Sequence, residues 1–154
     1  SYLIGNLTVG FMTGFGFVFA GFSIHNPNII MTSIYLGFFA FVMTTAREIV
    51  KDIEDIEGDK ADGAKTLPIL IGEKKPAILA FILIIVDCAL CPALYYYHIF
   101  SLYYLIIITI AVILFIYSAI LILRNQDRRT ASKVSKYLKI GMLIAFVSFI
   151  FGSL

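Results

Sequence analysis

The chain has 154 residues, 60% of them apolar and 14% charged, with twelve Lys and Arg against ten Asp and Glu. So few charges cannot coat a soluble globule of this length, and no basic patch with interleaved base-reading side chains is present, which excludes nucleic acid as a partner. The solvent such a composition suits is a bilayer.

A transmembrane helix needs roughly 20 mostly apolar residues, and residues 1–46, which carry no charge, hold two such stretches, over 2–24 and 29–46, separated by His25-Asn26-Pro27-Asn28. In the first, Gly10, Gly14 and Gly21 form a small-residue stripe suited to close helix packing within one subunit. A polar segment, Arg47 to Pro76, follows. The third span covers 76–97, with Pro92 as an expected kink, and the fourth covers 100–123. In the third, Asp87 is a lone acid that faces a polar cavity or bonds a neighbouring helix, because a charge at that depth is costly. Cys88 and Cys91 have no second ligand pair beside them and read as packing residues. After the basic run Arg124, Arg128, Arg129, Lys133, Lys136 and Lys139, which sets topology and can meet anionic headgroups, a fifth span covers 137–154. The predicted fold class is an all-α, polytopic transmembrane bundle with five spans.

If the spans alternate in direction, the loops after the second and fourth lie on one face and hold all twelve Lys and Arg, while the other face has none. The positive-inside rule makes the loaded face cytoplasmic, which predicts a multi-pass protein of the cell membrane with its polar loop inside. Tyr95, Tyr96, Tyr97, Tyr103 and Tyr104 then form an aromatic belt at the outer interface. The chain enters its first span at Ser1 with no charged flank, as the middle of a longer bundle would, so an N-terminal part is expected.

The chemistry concentrates between Asp52 and Asp59, which holds five carboxylates and no base. Asp52, Asp55 and Asp59 at i, i+3 and i+7 fall on one narrow arc if a helix continues from the second span, with Glu48 near the same face. Clustered carboxylates repel unless a cation lies between them, and oxygen-only ligands favour magnesium, which commonly bridges carboxylates to substrate phosphates. Arg47, Lys51, Lys60 and Lys65 are near enough to contact phosphate oxygens that the metal leaves free. On spacing alone, a solvated loop of mixed charge would read the same way. A calcium EF-hand is excluded by register, since Gly58 at its sixth position would put Ile53 first and Ala64 twelfth.

The stretch KDIEDIEGDKADGAKTLPILIG resembles the second aspartate-rich motif of UbiA-type intramembrane prenyltransferases. Asp52, Asp55 and Asp59 meet the DxxDxxxD signature, and Gly63, Thr66, Leu67 and Pro68, closed by Gly72, meet the following Gly-x-x-Thr-Leu-Pro element. The flanking spans agree with the last five of that family's nine helices, so residues 1–154 read as the C-terminal part of one prenyltransferase domain. The resemblance implies transfer of a prenyl group from an allylic diphosphate, with Asp52, Asp55 and Asp59 binding magnesium on the diphosphate. Within the family, REIVKDIEDIEGD after a GNLTVGFMTG span is most similar to the archaeal digeranylgeranylglyceryl phosphate synthases. That similarity implies geranylgeranyl diphosphate as donor, geranylgeranylglyceryl phosphate as acceptor, a role in ether-lipid synthesis, and Asn6 as a substrate-cavity residue. An aromatic acceptor, as in quinone, haem or chlorophyll pathways, is the alternative within the family. The family's first motif, NDxxDxxxD, is absent from these 154 residues, so the chain alone should be inactive, and an N-terminal half carrying that motif is the expected partner. A CDP-alcohol phosphotransferase would need DGxxAR ahead of its aspartates, and a divalent-cation transporter would need carboxylates lining the membrane interior, where only Asp87 lies.

Overall fold

Two antiparallel helices open the chain. The computed structural model describes residues 2–152. Helix α1 spans Tyr2–Phe22 and α2 spans Pro27–Glu54. The turn between them stops one helix and starts the next: Asn26, in extended conformation, accepts a hydrogen bond from the N–H of Asn28 at 3.0 Å, and Pro27 occupies the first turn, where its missing N–H costs nothing. Short helices α3 (Ile56–Ala61) and α4 (Leu67–Ile71) make up the polar loop. Then come α5 (Lys74–Leu90), α6 (Ala93–Tyr96), α7 (Leu102–Arg124) and α8 (Arg128–Gly152). No strand occurs among the described residues.

Among the described residues, five segments are long and apolar enough to cross a bilayer: α1, α2, α5 together with α6, α7 and α8. They form a multi-pass bundle in which α1 packs on α2, α7 on α8, and α2 sits between α1, α5 and α8. At 28 residues α2 is about 42 Å long, against a hydrocarbon layer of about 30 Å. Its charged turns from Arg47 onward therefore stand beyond the apolar layer.

The third span breaks at Cys91–Pro92. The N–H groups of Tyr95 and Tyr96 both turn to the Pro92 carbonyl, and the Cys91 carbonyl instead accepts from the Tyr104 hydroxyl of α7. A backbone group freed in an apolar setting is thus satisfied by a neighbouring helix. Helix α8 begins well before the apolar run at 137–154, since Ala131, Val134 and Leu138 recur at helical spacing and are buried against the bundle.

Small residues let the backbones approach, as expected where lipid removes most of the hydrophobic driving force between helices. Ala46, Ala77, Ala80, Ala111 and Ala145 are all fully buried, while Phe11, Phe15, Phe19, Ile106, Ile113 and Leu143 point outward. Gly14 and Gly37 meet directly: a Cβ on Gly14 would lie 2.5 Å from the Gly37 carbonyl oxygen, and one on Gly37 would lie 2.7 Å from that of Gly14. The glycine stripe of α1 therefore serves contact with α2.

Both charged segments end up at one end of the bundle, where Glu54 of α2 and Arg128, Arg129, Lys133 and Lys136 of α8 line a common pocket of about 560 Å³. At the opposite end, Phe17, Ile29, Leu36, Phe100, Phe146 and Phe149 wall a larger pocket of about 820 Å³.

Candidate functional site

The end of α2 is amphipathic: Ile49, Val50 and Ile53 are buried, and Asp52 projects toward α1. There the Asn6 side-chain amide donates to Asp52 Oδ2 at 2.8 Å. Asn6 is itself buried, so a polar group near the end of α1 is satisfied by the first of the three aspartates.

The continuous helix expected over Asp52–Asp59 is interrupted. Helix α2 stops at Glu54, Asp55 takes φ −98° and ψ 12°, and α3 starts at Ile56. The hydrogen bonding survives, with the Asp55 N–H donating to the Lys51 carbonyl at 2.9 Å and the Asp59 N–H to the Asp55 carbonyl at 2.8 Å. Asp and Gly are poor helix formers, and Glu54, Asp55 and Glu57 repel one another, so this turn is where a regular helix costs most. As a result Asp55 is exposed while Asp52 and Asp59 are half-buried. Among the described residues, no three Asp, Glu, His or Cys side chains stand close enough together to hold a metal ion. The shared helix face read from the spacing is therefore not a closed ligand set.

The motif residues after Asp59 have visible structural work. Gly63 takes φ +70° as α3 ends, with the Ala64 N–H returning to the Asp59 carbonyl at 2.8 Å. Thr66 is extended before α4, Pro68 is buried in the first turn of α4, and Gly72 ends that helix at φ +83°. Side chains other than glycine rarely adopt such positive φ values.

Electrostatics tie the acids together. Burial pushes the Asp52 carboxyl above the ordinary carboxylate range; the Asn6 amide pulls it back, and Asp59, Glu48 and Asp55 push it up again. Asp59 is also raised, by burial and then by Asp55 and Asp62. Asp52 and Asp59 thus hold their protons more tightly first through burial and then through neighbouring charge, and a cation beside them would relieve that second part. Carboxylates are the ligand type a hard divalent ion takes, although as positioned these do not close around one.

The basic residues divide into two pairs. Arg47 lies 3.5 Å and Lys51 3.9 Å from Glu48. Lys60 and Lys65 are exposed, with no ion pair among the described residues. Sequence reading placed Glu48 near the aspartates but missed it as the acid on which both cations lean, although the i, i+3 spacing of Glu48 and Lys51 signals half of that arrangement. The Asn6–Asp52 pair joins residues on different helices and left no local signal. Asp87 is fully buried in α5, and among the described residues neither of its carboxylate oxygens has a hydrogen-bond partner.

Asn6 holds Asp52 in place, so its loss should be felt at the acidic loop. Asn6→Ala is expected to remove a charge-assisted hydrogen bond worth about 1.5–3 kcal/mol, and Asn6→Asp should be worse because it sets a fourth carboxylate against Asp52. Donor KM and thermal midpoint, measured together on the complete gene product, check the order wild type, Ala, Asp. An Asp variant equal to wild type in both would show that the pair is incidental.

A model described as the UbiA prenyltransferase family matches residues 1–150. Similar curated proteins include the digeranylgeranylglyceryl phosphate synthases of Methanobrevibacter smithii, 65% identical over 98% of this chain and 53% of the relative, and of Methanosphaera stadtmanae, 58% identical over 98% and 54%. A solved structure, from work on digeranylgeranylglyceryl phosphate synthase in membranes, superposes with a TM-score of 0.92 at 43% identity, over 99% of this chain and 53% of that one. The chain spans about half the length of the curated relatives it matches. With nearly its whole length matched, its five apolar helices in the same arrangement and its acidic loop intact, the chain belongs to the UbiA prenyltransferase family.

Proposed function

We propose that these residues form the diphosphate-holding part of a magnesium-dependent prenyltransferase that moves a geranylgeranyl group from its diphosphate to the free hydroxyl of geranylgeranylglyceryl phosphate. The observation that carries the reading is the loop from Asp52 to Gly72, built on α2 and steadied by Asn6, in a chain 65% identical to a relative of that name. Asp52, Asp55 and Asp59 would hold magnesium. When bound, the ion offsets negative charge developing on the departing diphosphate.

The chain's own residues do the rest. Lys60 and Lys65, exposed and unpaired, contact phosphate oxygens, and Arg47 and Lys51 do so on release from Glu48. As the allylic C–O bond breaks, these cations stabilise the leaving pyrophosphate, and the acceptor hydroxyl attacks the allyl cation, forming the ether bond and losing its proton. Apolar side chains from several helices house the isoprenoid and keep water from the cation. The whole activity needs a second acidic element of the NDxxDxxxD type from polypeptide outside residues 1–154. A diphosphate carries about three negative charges near neutral pH, and one half-shell of carboxylates ligates only one side of the cluster that neutralises it. The concentration of Lys and Arg in the two loops supports a site on the cytoplasmic face of the cell membrane.

The test is transfer by the complete gene product with labelled geranylgeranyl diphosphate, offered geranylgeranylglyceryl phosphate and an aromatic acid together. Label is expected only in the lipid phosphate, lost with chelator and restored by magnesium. Label only in the aromatic product would move the enzyme to that branch of the family, and label in neither would remove the reading.

A further inference from the structure

The pocket between the ends of α2 and α8 shares Glu54 with the acidic loop. Its lining is Glu54, Arg128, Arg129, Ser132, Lys133 and Lys136, and its volume is about 560 Å³. Glu54 follows Asp52 by two residues, about 200° round the helix, so the two carboxylates leave α2 on different sides. Its α8 residues fall on one face, opposite the buried Ala131, Val134 and Leu138.

Four cations meet one carboxylate here, and among the described residues none of the four lies within ion-pair distance of an acid. Like charges at i, i+4 and i+3, as in Arg129, Lys133 and Lys136, repel. The first turn of α8 adds Arg128 and Arg129 at the helix end that repels cations, with no acid in that turn. An anion in the pocket would turn each of these costs into a gain.

The depth of the pocket says which anion. One residue inward from Lys136, Tyr137 meets Tyr117 of α7 with ring centroids 6.0 Å apart, and paired tyrosines at a span's end mark the headgroup level. From Ile140 onward α8 carries no charge. The cations therefore stand where lipid phosphates lie, on side chains long enough to bury their stems and extend their heads. We infer that Arg128, Arg129, Lys133 and Lys136 form a binding site for the phosphate of an anionic membrane lipid, separate from the prenyl-transfer site. Glu54 on its rim limits the affinity.

The complete gene product, stripped of lipid and titrated with phosphatidylglycerol or phosphatidylcholine under native mass spectrometry, tests this. Wild type is expected to prefer phosphatidylglycerol. Replacing all four cations with Gln should weaken that binding on the order of a hundredfold to a thousandfold, and Glu54→Gln should tighten it about threefold. If the fourfold variant does not fold, the exposed pair Lys133→Gln and Lys136→Gln, read against Glu54→Gln, carries the same opposite signs. Equal phosphatidylglycerol affinity in wild type and variants would overturn the site. Displacement of the lipid by inorganic phosphate would make it a soluble-anion site, and a raised KM for the lipid-phosphate acceptor in the Gln variants would make it part of the transfer site; either result overturns the inference.

Discussion

Asp59→Asn is expected to reduce prenyl transfer by the complete gene product on the order of a hundredfold to a thousandfold, the loss seen when one preorganised electrostatic contact to a transition state is removed. Asp59 is the half-buried acid at the far end of the set, and burial, then Asp55 and Asp62, raise its carboxyl. An amide there keeps the volume but removes the charge that a hard cation needs, so the deficit should appear in turnover and should shrink only partly at high magnesium. Asp55→Asn should behave similarly. Asp55 is exposed and makes no side-chain hydrogen bond in the structure, so helicity and thermal midpoint should be unchanged in that variant. Near-normal single-turnover rates in both variants would remove magnesium from this loop.

The largest effect on stability is expected at Gly14. Its missing Cβ would sit 2.5 Å from the Gly37 carbonyl oxygen, a backbone atom that cannot rotate away. Gly14→Ala must push α1 off α2, at a cost at or above the roughly 1–3 kcal/mol of ordinary overpacking, and Gly14→Leu must cost more. The same helix supplies its control. A Cβ on Gly16 meets nothing within 4 Å, so Gly16→Ala should be neutral or stabilise by about 0.5–1 kcal/mol through helix propensity. Thermal unfolding of the two Ala variants in detergent compares them directly; equal midpoints would mean that the helices are not held at this crossing. Because Asn6 and Asp52 span the same interface, Gly14→Leu should also reproduce part of the Asn6→Ala defect.

Much of this architecture was legible in the residues, for identifiable reasons. Long apolar runs mark spans because a bilayer penalises every unpaired backbone group, and the split of basic residues put Glu54 and Arg128 at one end, where they share a pocket. The glycine stripe announced close packing. Its partner, Gly37, did not announce itself, since pairing between helices depends on register and tilt that one sequence does not encode locally. Asn6 and Asp52, 46 residues apart, were hidden for the same reason. The break at Asp55 was hidden differently: DxxDxxxD has the same spacing whether or not the helix is continuous, and a contest between weak propensity and carboxylate repulsion decides it.

The turn that joins α1 to α2 also bears on how the protein enters its membrane. Ser23 to Asn26 is too short for the two helices to insert independently, and their backbones touch at Gly14 and Gly37. The Asn6–Asp52 bond ties the other ends of the same two helices together. The pair therefore behaves as one hairpin. Its turn carries no Lys, Arg, Asp or Glu, so the end of the hairpin that joins the two helices is also the end that is cheapest to carry through lipid.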